Sequence, residues 1–184
     1  MSQALVLIDI QRDYFPGGRM ELSGPVQAAE NAAKVLSLFR DQSWPVFHVQ
    51  HIANRPGATF FLPGTEGADI QSLVRPIPSE TVVVKHFPNS FRETPLASLL
   101  QAAGVTQLTV CGMMTHMCVD ATVRAAFDLG FAVTVLHDAC ATRDLSFAGA
   151  TIPASQVHGS FLAALGAVYA KVLGLDEYLH AIAA

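Results

Sequence analysis

The sequence predicts an α/β fold, a Rossmann-like three-layer α/β/α sandwich around a six-stranded, mostly parallel sheet. Three observations predict it: short runs rich in β-branched residues recur along the 184-residue chain, helix patterns lie between them, and most runs are apolar almost throughout rather than alternating. Continuous apolar runs suit strands covered on both faces, and the alternation of strand with helix suits parallel strands joined by right-handed crossovers.

The strand-like runs span residues 4–8, 45–50, 81–84, 107–111, 132–136 and 169–173. Helix patterns fill 25–41, 95–103, 118–129 and 155–167, with Gly104 and Gly130 after two of them, where a left-handed cap is wanted. Segment 53–78 breaks the rhythm, being rich in Gly and Pro with Phe60 and Phe61 in its middle; it is too long for a simple connector and is expected to form a lid or an oligomer contact. No repeat, low-complexity tract or composition shift marks a second domain, so residues 1–184 read as one domain.

Composition narrows the partners. The net charge is −4 and the pI about 5.9, with no run of Lys or Arg to track a phosphate backbone, so nucleic acid is not an expected partner. The longest apolar stretch, 161–175, contains Lys171 and is shorter than the roughly 18 to 20 residues of a membrane span. It reads as a buried helix followed by a strand. The start MSQALVLID is interrupted at Asp9 and shows no export signal, which predicts a cytoplasmic protein. The three cysteines, Cys111, Cys118 and Cys140, cannot all pair and lack Cys-x-x-Cys spacing; free thiols are expected.

Strand ends carry the chemistry. Asp9 follows the first strand, Lys85 the third, and Cys118 the turn after the fourth, so an acid, a base and a thiol converge at the edge where parallel sheets bind ligands. Cys118 stands in the first turn of a helix beginning near Thr115 or His116, whose N–H groups favour an anion. With a lysine nearby, that setting predicts a lowered thiol pKa and attack on a carbonyl carbon.

Each of these residues also has a plain structural reading: Asp and Lys at strand ends often pair on a surface, and a Cys at a helix start is often just small and buried. In CGMMTHMCVD, Cys111, Met113, Met114, His116, Met117 and Cys118 offer donors for a soft metal, but methionine beside apolar strands more often fills core gaps. His48 and His51 stand three apart on a strand and point to opposite faces, so they cannot chelate one ion together; His51 is expected to face the pocket and His48 the core. The Gly17-Gly18 pair lacks the spacing of a dinucleotide or nucleotide loop.

Five motifs in order, LVLIDIQRDYF, PGTEGADI, VVVKHFPNSFRETPL, CGMMTHMCVDATVRAAFDLGF and HDACATRD, resemble those of the isochorismatase-like cysteine hydrolase superfamily, which includes nicotinamidases, N-carbamoylsarcosine amidohydrolases and ureidoacrylate amidohydrolases. The resemblance runs over about 4–173. It implies that Cys118 is the nucleophile, Asp9 the general acid/base and Lys85 the third catalytic member. It also implies a non-proline cis peptide at Met113-Met114, with the N–H groups of Met114 and Cys118 as the oxyanion hole. Pocket walls are expected from Phe15, His51, Phe60, Phe91, Met113, His116 and Met117, an apolar and aromatic set suited to a flat small molecule.

Metal-dependent nicotinamidases carry an Asp-x-His pair after the second strand, where this chain has His51-Ile52-Ala53. The expectation is therefore a hydrolase of a small amide-type C–N bond with no metal and no cofactor, acting through a covalent thioester. Vinyl ether cleavage of the isochorismatase type and metal-free nicotinamide hydrolysis are the competing activities. A small-molecule binding or thiol redox protein is the non-enzyme alternative. The family's habit, the apolar residues of 53–78 and the Ala-rich final helix predict a homo-oligomer, dimer or tetramer.

Overall fold

The computed structural model describes residues 2–183. Its strands are β1 (Ser2–Ile8), β2 (Val46–His51), β3 (Thr81–Lys85), β4 (Val105–Met113), β5 (Ala132–Ala141), β6 (Leu145–Phe147), β7 (Ala150–Ile152) and β8 (Lys171–Leu173). Six of them form one sheet in the order β3-β2-β1-β4-β5-β8, and every neighbouring pair is parallel. Helices α1 (Pro25–Asp41), α2 (Leu96–Ala102), α3 (Asp120–Asp128), α4 (Ala154–Val168) and α5 (Leu175–Ala183) flank the sheet, giving the three-layer α/β fold expected from the sequence.

From β1 the chain builds outward to β2 and β3, then returns to β4 on the other side of β1 and continues outward to β5 and β8. With right-handed crossovers, this reversal sends connections to opposite faces and opens a crevice beyond the carboxyl ends of β1 and β4.

Burial explains why these segments form these elements. In β1, Ala4, Leu5, Val6, Leu7 and Ile8 are all buried, as a central strand covered on both faces requires. Helix α1 starts at Pro25 and buries Ala28, Ala29, Ala32, Val35, Leu36 and Phe39, a spacing of three and four that turns one stripe to the sheet. At the sheet edge β3 behaves differently: Val83 and Lys85 are buried while Val82 and Val84 are exposed, so the strand has one covered face, and its period of two turns Lys85 inward.

Several boundaries differ from the sequence reading. A π-helical turn, Thr115–Val119, precedes α3, so the helix expected over 118–129 has a wider first turn that begins earlier. Strand β5 runs on to Ala141 because the ladder slips between Val110 and Gly112, letting Gly112 pair with Cys140 and Met113 with Ala141. Tyr169 caps α4, its N–H donating to Leu165 O at 2.8 Å, so β8 starts later than expected. The β6-β7 hairpin, antiparallel and apart from the main sheet, had no counterpart in the sequence reading. Among the described residues, no helix is long and apolar enough to cross a membrane.

Gly112 marks where β4 presses on β1. Its φ is 136°, and a Cβ there would stand 2.1 Å from Ile8 O and 2.7 Å from Ile8 N, which are backbone atoms that cannot swing aside. Gly112→Ala is expected to cost about 3 kcal/mol, the upper end of the overpacking range. Gly159, inside α4, is the contrasting position, since a Cβ added there would meet nothing within 4 Å; Gly159→Ala should gain about 0.5–1 kcal/mol. Urea unfolding of the two variants beside the parent protein checks both.

Candidate active site

Asp9, the residue after β1, has a left-handed backbone (φ 50°), uncommon outside glycine. Its N–H donates to Val49 O at 3.0 Å and its carbonyl accepts from Gln11 N at 2.9 Å, a tight turn that ends the strand. Lys85 closes β3 on the buried face, and Cys118 sits in the π-helical turn after β4. The three side chains meet. Lys85 Nζ donates to Asp9 Oδ2 at 2.6 Å and to Cys118 Sγ at 3.3 Å, and lies 2.9 Å from His51 Nδ1. The side chains of Asp9 and Lys85 are wholly buried. Asp9 Oδ1 is buried with no partner among the described residues.

Electrostatics follow from this packing. Burial pulls the lysine down, but the Asp9 charge and the hydrogen bonds to Asp9 and Cys118 outweigh it and hold Lys85 above its ordinary range. Burial first, then the Lys85 charge, lowers His51 to about 4, so its imidazole is neutral. The Cys118 thiol is pushed up by burial and then by Asp9, with Lys85 opposing. This corrects the expectation of a lowered thiol: a helix start and a lysine do not offset loss of water beside a carboxylate.

A cavity of about 250 Å³ opens at Cys118, which lines it, while Asp9 and Lys85 lie behind the thiol and outside the lining. Of the residues expected in its walls, His51, Phe60 and Met117 line it, as does Met114. Four others lie elsewhere. Phe15 and Met113 are buried in the core, Phe91 stacks on Phe131 at 6.2 Å, and His116 is turned to the Thr142 hydroxyl and the Phe161 ring. The 3-10 turn Arg12–Tyr14 explains the first exchange: Tyr14 lines the cavity while its neighbour Phe15 packs into the core. The Met113-Met114 peptide is cis, as the family resemblance implied.

The sequence reading also missed Tyr14, Phe61, Arg55, His86 and Arg143 in the lining. Tyr14, Phe60 and Phe61 form an aromatic wall with centroids 4.6 to 5.9 Å apart. Burial, then Cys118 and Asp9, raise Tyr14 well above the ordinary phenol, so its hydroxyl keeps its proton.

Segment 53–78 supplies much of this wall, and two polar residues after β1 tie it down. Gln11 Nε2 donates to His51 O at 2.9 Å and Ala68 O at 2.7 Å, while its Oε1 accepts from His51 N at 2.7 Å. Asp13 accepts from Phe61 N at 2.7 Å and Arg19 N at 3.2 Å. A Cβ at Gly67 would fall 2.1 Å from Asp13 Oδ1, which accounts for glycine in PGTEG.

Among the described residues, one group of His, Cys, Asp or Glu could surround an ion, namely Asp9, His51 and Cys118. All three are partners of Lys85 Nζ, so the ammonium holds the place a cation would take. The soft donors of CGMMTHMCVD do not converge, since Met113 is in the core and His116 faces Thr142.

The isochorismatase domain model matches residues 3–155. YddQ, an isochorismatase family protein of Bacillus subtilis, is 54% identical over 179 residues, which is 97% of this chain and 99% of its own. The crystal structure of a candidate isochorismatase hydrolase from Oleispira antarctica superposes with a TM-score of 0.94 at 49% identity, over 97% of this chain and 96% of that one. The ureidoacrylate amidohydrolase RutB of Enterobacter sp. is 31% identical over 74% of each chain. With that fold and those matches, the chain belongs to the isochorismatase family and is a hydrolase.

Proposed function

We propose that this protein is a cysteine hydrolase that cleaves an amide-type C–N bond in a small, flat, anionic molecule through a thioester on Cys118. One observation carries the reading: the Lys85 ammonium bridges the Asp9 carboxylate and the Cys118 thiol at a cavity of small-molecule size. The similarity to an amidohydrolase that acts on ureidoacrylate supports C–N chemistry.

In the resting site the thiol keeps its proton. On substrate binding, the proton passes from Sγ to the free Oδ1 of Asp9 and Sγ attacks the carbonyl carbon. Oxygen takes the negative charge, facing the N–H groups of Met114 and Cys118. Asp9 then protonates the nitrogen, the C–N bond breaks and the amine leaves. Water gives a proton to Asp9 and its hydroxide attacks the thioester; Sγ departs and recovers the proton. Throughout, Lys85 stays an ammonium and stabilises whichever neighbour is anionic.

Substrate character comes from the walls. The aromatic side suits a planar molecule, while Arg55 and Arg143 line the cavity with no carboxylate among the lining residues. Such a site favours an amide whose far end carries a carboxylate or a similar anion.

A panel of small amides, each with and without a carboxylate, tests the reading through release of ammonia or amine. Cys118→Ser and Asp9→Asn should each lower turnover roughly 10³-fold or more. A thioester adduct on Cys118 should appear by mass spectrometry, and its absence with a turned-over amide would exclude covalent catalysis. Arg143→Gln should raise KM for the anionic amides about tenfold, as expected for a lost charge-assisted hydrogen bond, with a smaller effect on kcat.

Alkylation separates thiol activation from turnover. In the parent protein, Cys118 should react slowly at neutral pH and faster as pH rises, since burial and Asp9 hold its proton. Asp9→Asn removes the opposing charge and leaves Lys85, so its Cys118 should alkylate at lower pH even though hydrolysis is lost. Equal profiles in the two proteins, resolved by peptide mass spectrometry, would contradict Asp9 as the group that holds the thiol neutral.

A further inference from the structure

We propose that His51 is a positioning residue for this site: through Nδ1 it accepts the third proton of the Lys85 ammonium, and that bond fixes the ring's own proton on Nε2, at the substrate cavity. The role of the residue in catalysis rests on the amidohydrolase reading above, whereas its bond to Lys85 does not.

An ammonium has three N–H donors and no acceptor. Lys85 Nζ has three partners of three kinds, Asp9 Oδ2 at 2.6 Å, His51 Nδ1 at 2.9 Å and Cys118 Sγ at 3.3 Å, so each proton has one acceptor. A nitrogen that accepts from an ammonium must offer a lone pair, which leaves Nε2 as the protonated position. His51 lines the cavity, so the second ring nitrogen is a donor available to a bound molecule.

The fold holds the ring in this pose from several sides. His51 pairs with Lys85 in the β2-β3 ladder, which puts the two side chains next to each other on one face of the sheet. Its backbone is clamped by Gln11 at both N–H and C=O, and its ring lies 5.8 Å from Phe61. The charged and titratable groups around it are Lys85 on β3, Asp9 after β1, Cys118 in the π-helical turn, His86 after β3 and Arg55 in segment 53–78. Burial first, then the charge of Lys85 with smaller effects from His86 and Arg55, lowers its affinity for a proton against the pull of Asp9, which leaves the ring an acceptor down to about pH 4.

Without an acceptor at position 51, one N–H of a buried ammonium would have no partner. The lysine would then lose its proton at lower pH, and its tilt toward Asp9 and Cys118 would be less well defined.

The test uses full-length protein with ¹⁵N in lysine and histidine side chains. The chain has only three lysines, Lys34, Lys85 and Lys171, so the Nζ signals can be assigned by substitution. Between pH 5 and 9, His51 should show Nε2 protonated and Nδ1 bare; the opposite tautomer would overturn the proposal without any variant being made. His51→Leu should lower the Lys85 titration midpoint by about one unit. It should also reduce kcat about 10- to 100-fold with KM within about threefold, the cost of a misplaced catalytic group. His51→Asn, whose Oδ1 can stand near the place of Nδ1, should restore the midpoint. A Lys85 midpoint that does not move in His51→Leu, or that moves equally in both variants, would refute the positioning role. The NMR readouts need no substrate, so a failed amide panel with the expected titrations would sink the amidohydrolase reading alone.

Discussion

The buried ammonium of Lys85 is the constraint on which the site depends. In the sheet order β3-β2-β1-β4, Lys85 and Asp9 leave strands that are not neighbours but two apart, roughly 10 Å at normal strand spacing. A four-methylene stem can cross that gap, and it does so past β2, whose last residue is His51. The contact of the lysine with the histidine is therefore a geometric consequence of the crossing. A shorter cation at position 85 could not span the two strand spacings to Asp9.

Charge balance accounts for the protonated thiol. Carboxylate, ammonium and thiol sum to zero, and moving one proton from Cys118 to Asp9 keeps that sum while producing a thiolate. Losing the proton to solvent would leave a net negative charge with no water around it, and this is the reason the thiol is held up. In the proposed mechanism, reactivity is tied to that internal transfer, which an incoming carbonyl group draws forward. A buried ion pair adds little to stability when weighed against apolar packing. Its presence at the crevice of a parallel sheet is better explained by chemistry than by folding.

Most of the frame was legible in the sequence because apolar strands and helical stripes have simple periods. The strand ends were legible for the same reason, and with them Asp9, Lys85 and Cys118. What could not be read was set by local turns without a period. A 3-10 turn after Gln11 puts Tyr14 at the cavity and Phe15 in the core, and adjacent aromatics give no clue to which is which. The turn at Thr115–Val119 packs His116 against Thr142 while Met117 reaches the cavity. The thiol was misjudged because helix dipole and lysine are visible in a sequence, whereas desolvation and the approach of Asp9 are properties of the folded site.

The division of labour between strands and loops has a consequence for specificity. Asp9, His51 and Lys85 are held by the sheet register, and Gly112 must remain glycine for β4 to lie close enough to β1. The cavity-lining groups come from connecting segments: Arg55, Phe60 and Phe61 from segment 53–78, and Arg143 between β5 and β6. Gln11 and Asp13 join the two, since they follow Asp9 directly after β1 and anchor the backbone of the segment at Ala68 and Phe61. Both anchors hold backbone groups of the segment, Ala68 O and Phe61 N–H. In the proposed function, the loop groups that would select a substrate can change while Asp9, Lys85 and Cys118 keep their places on the frame.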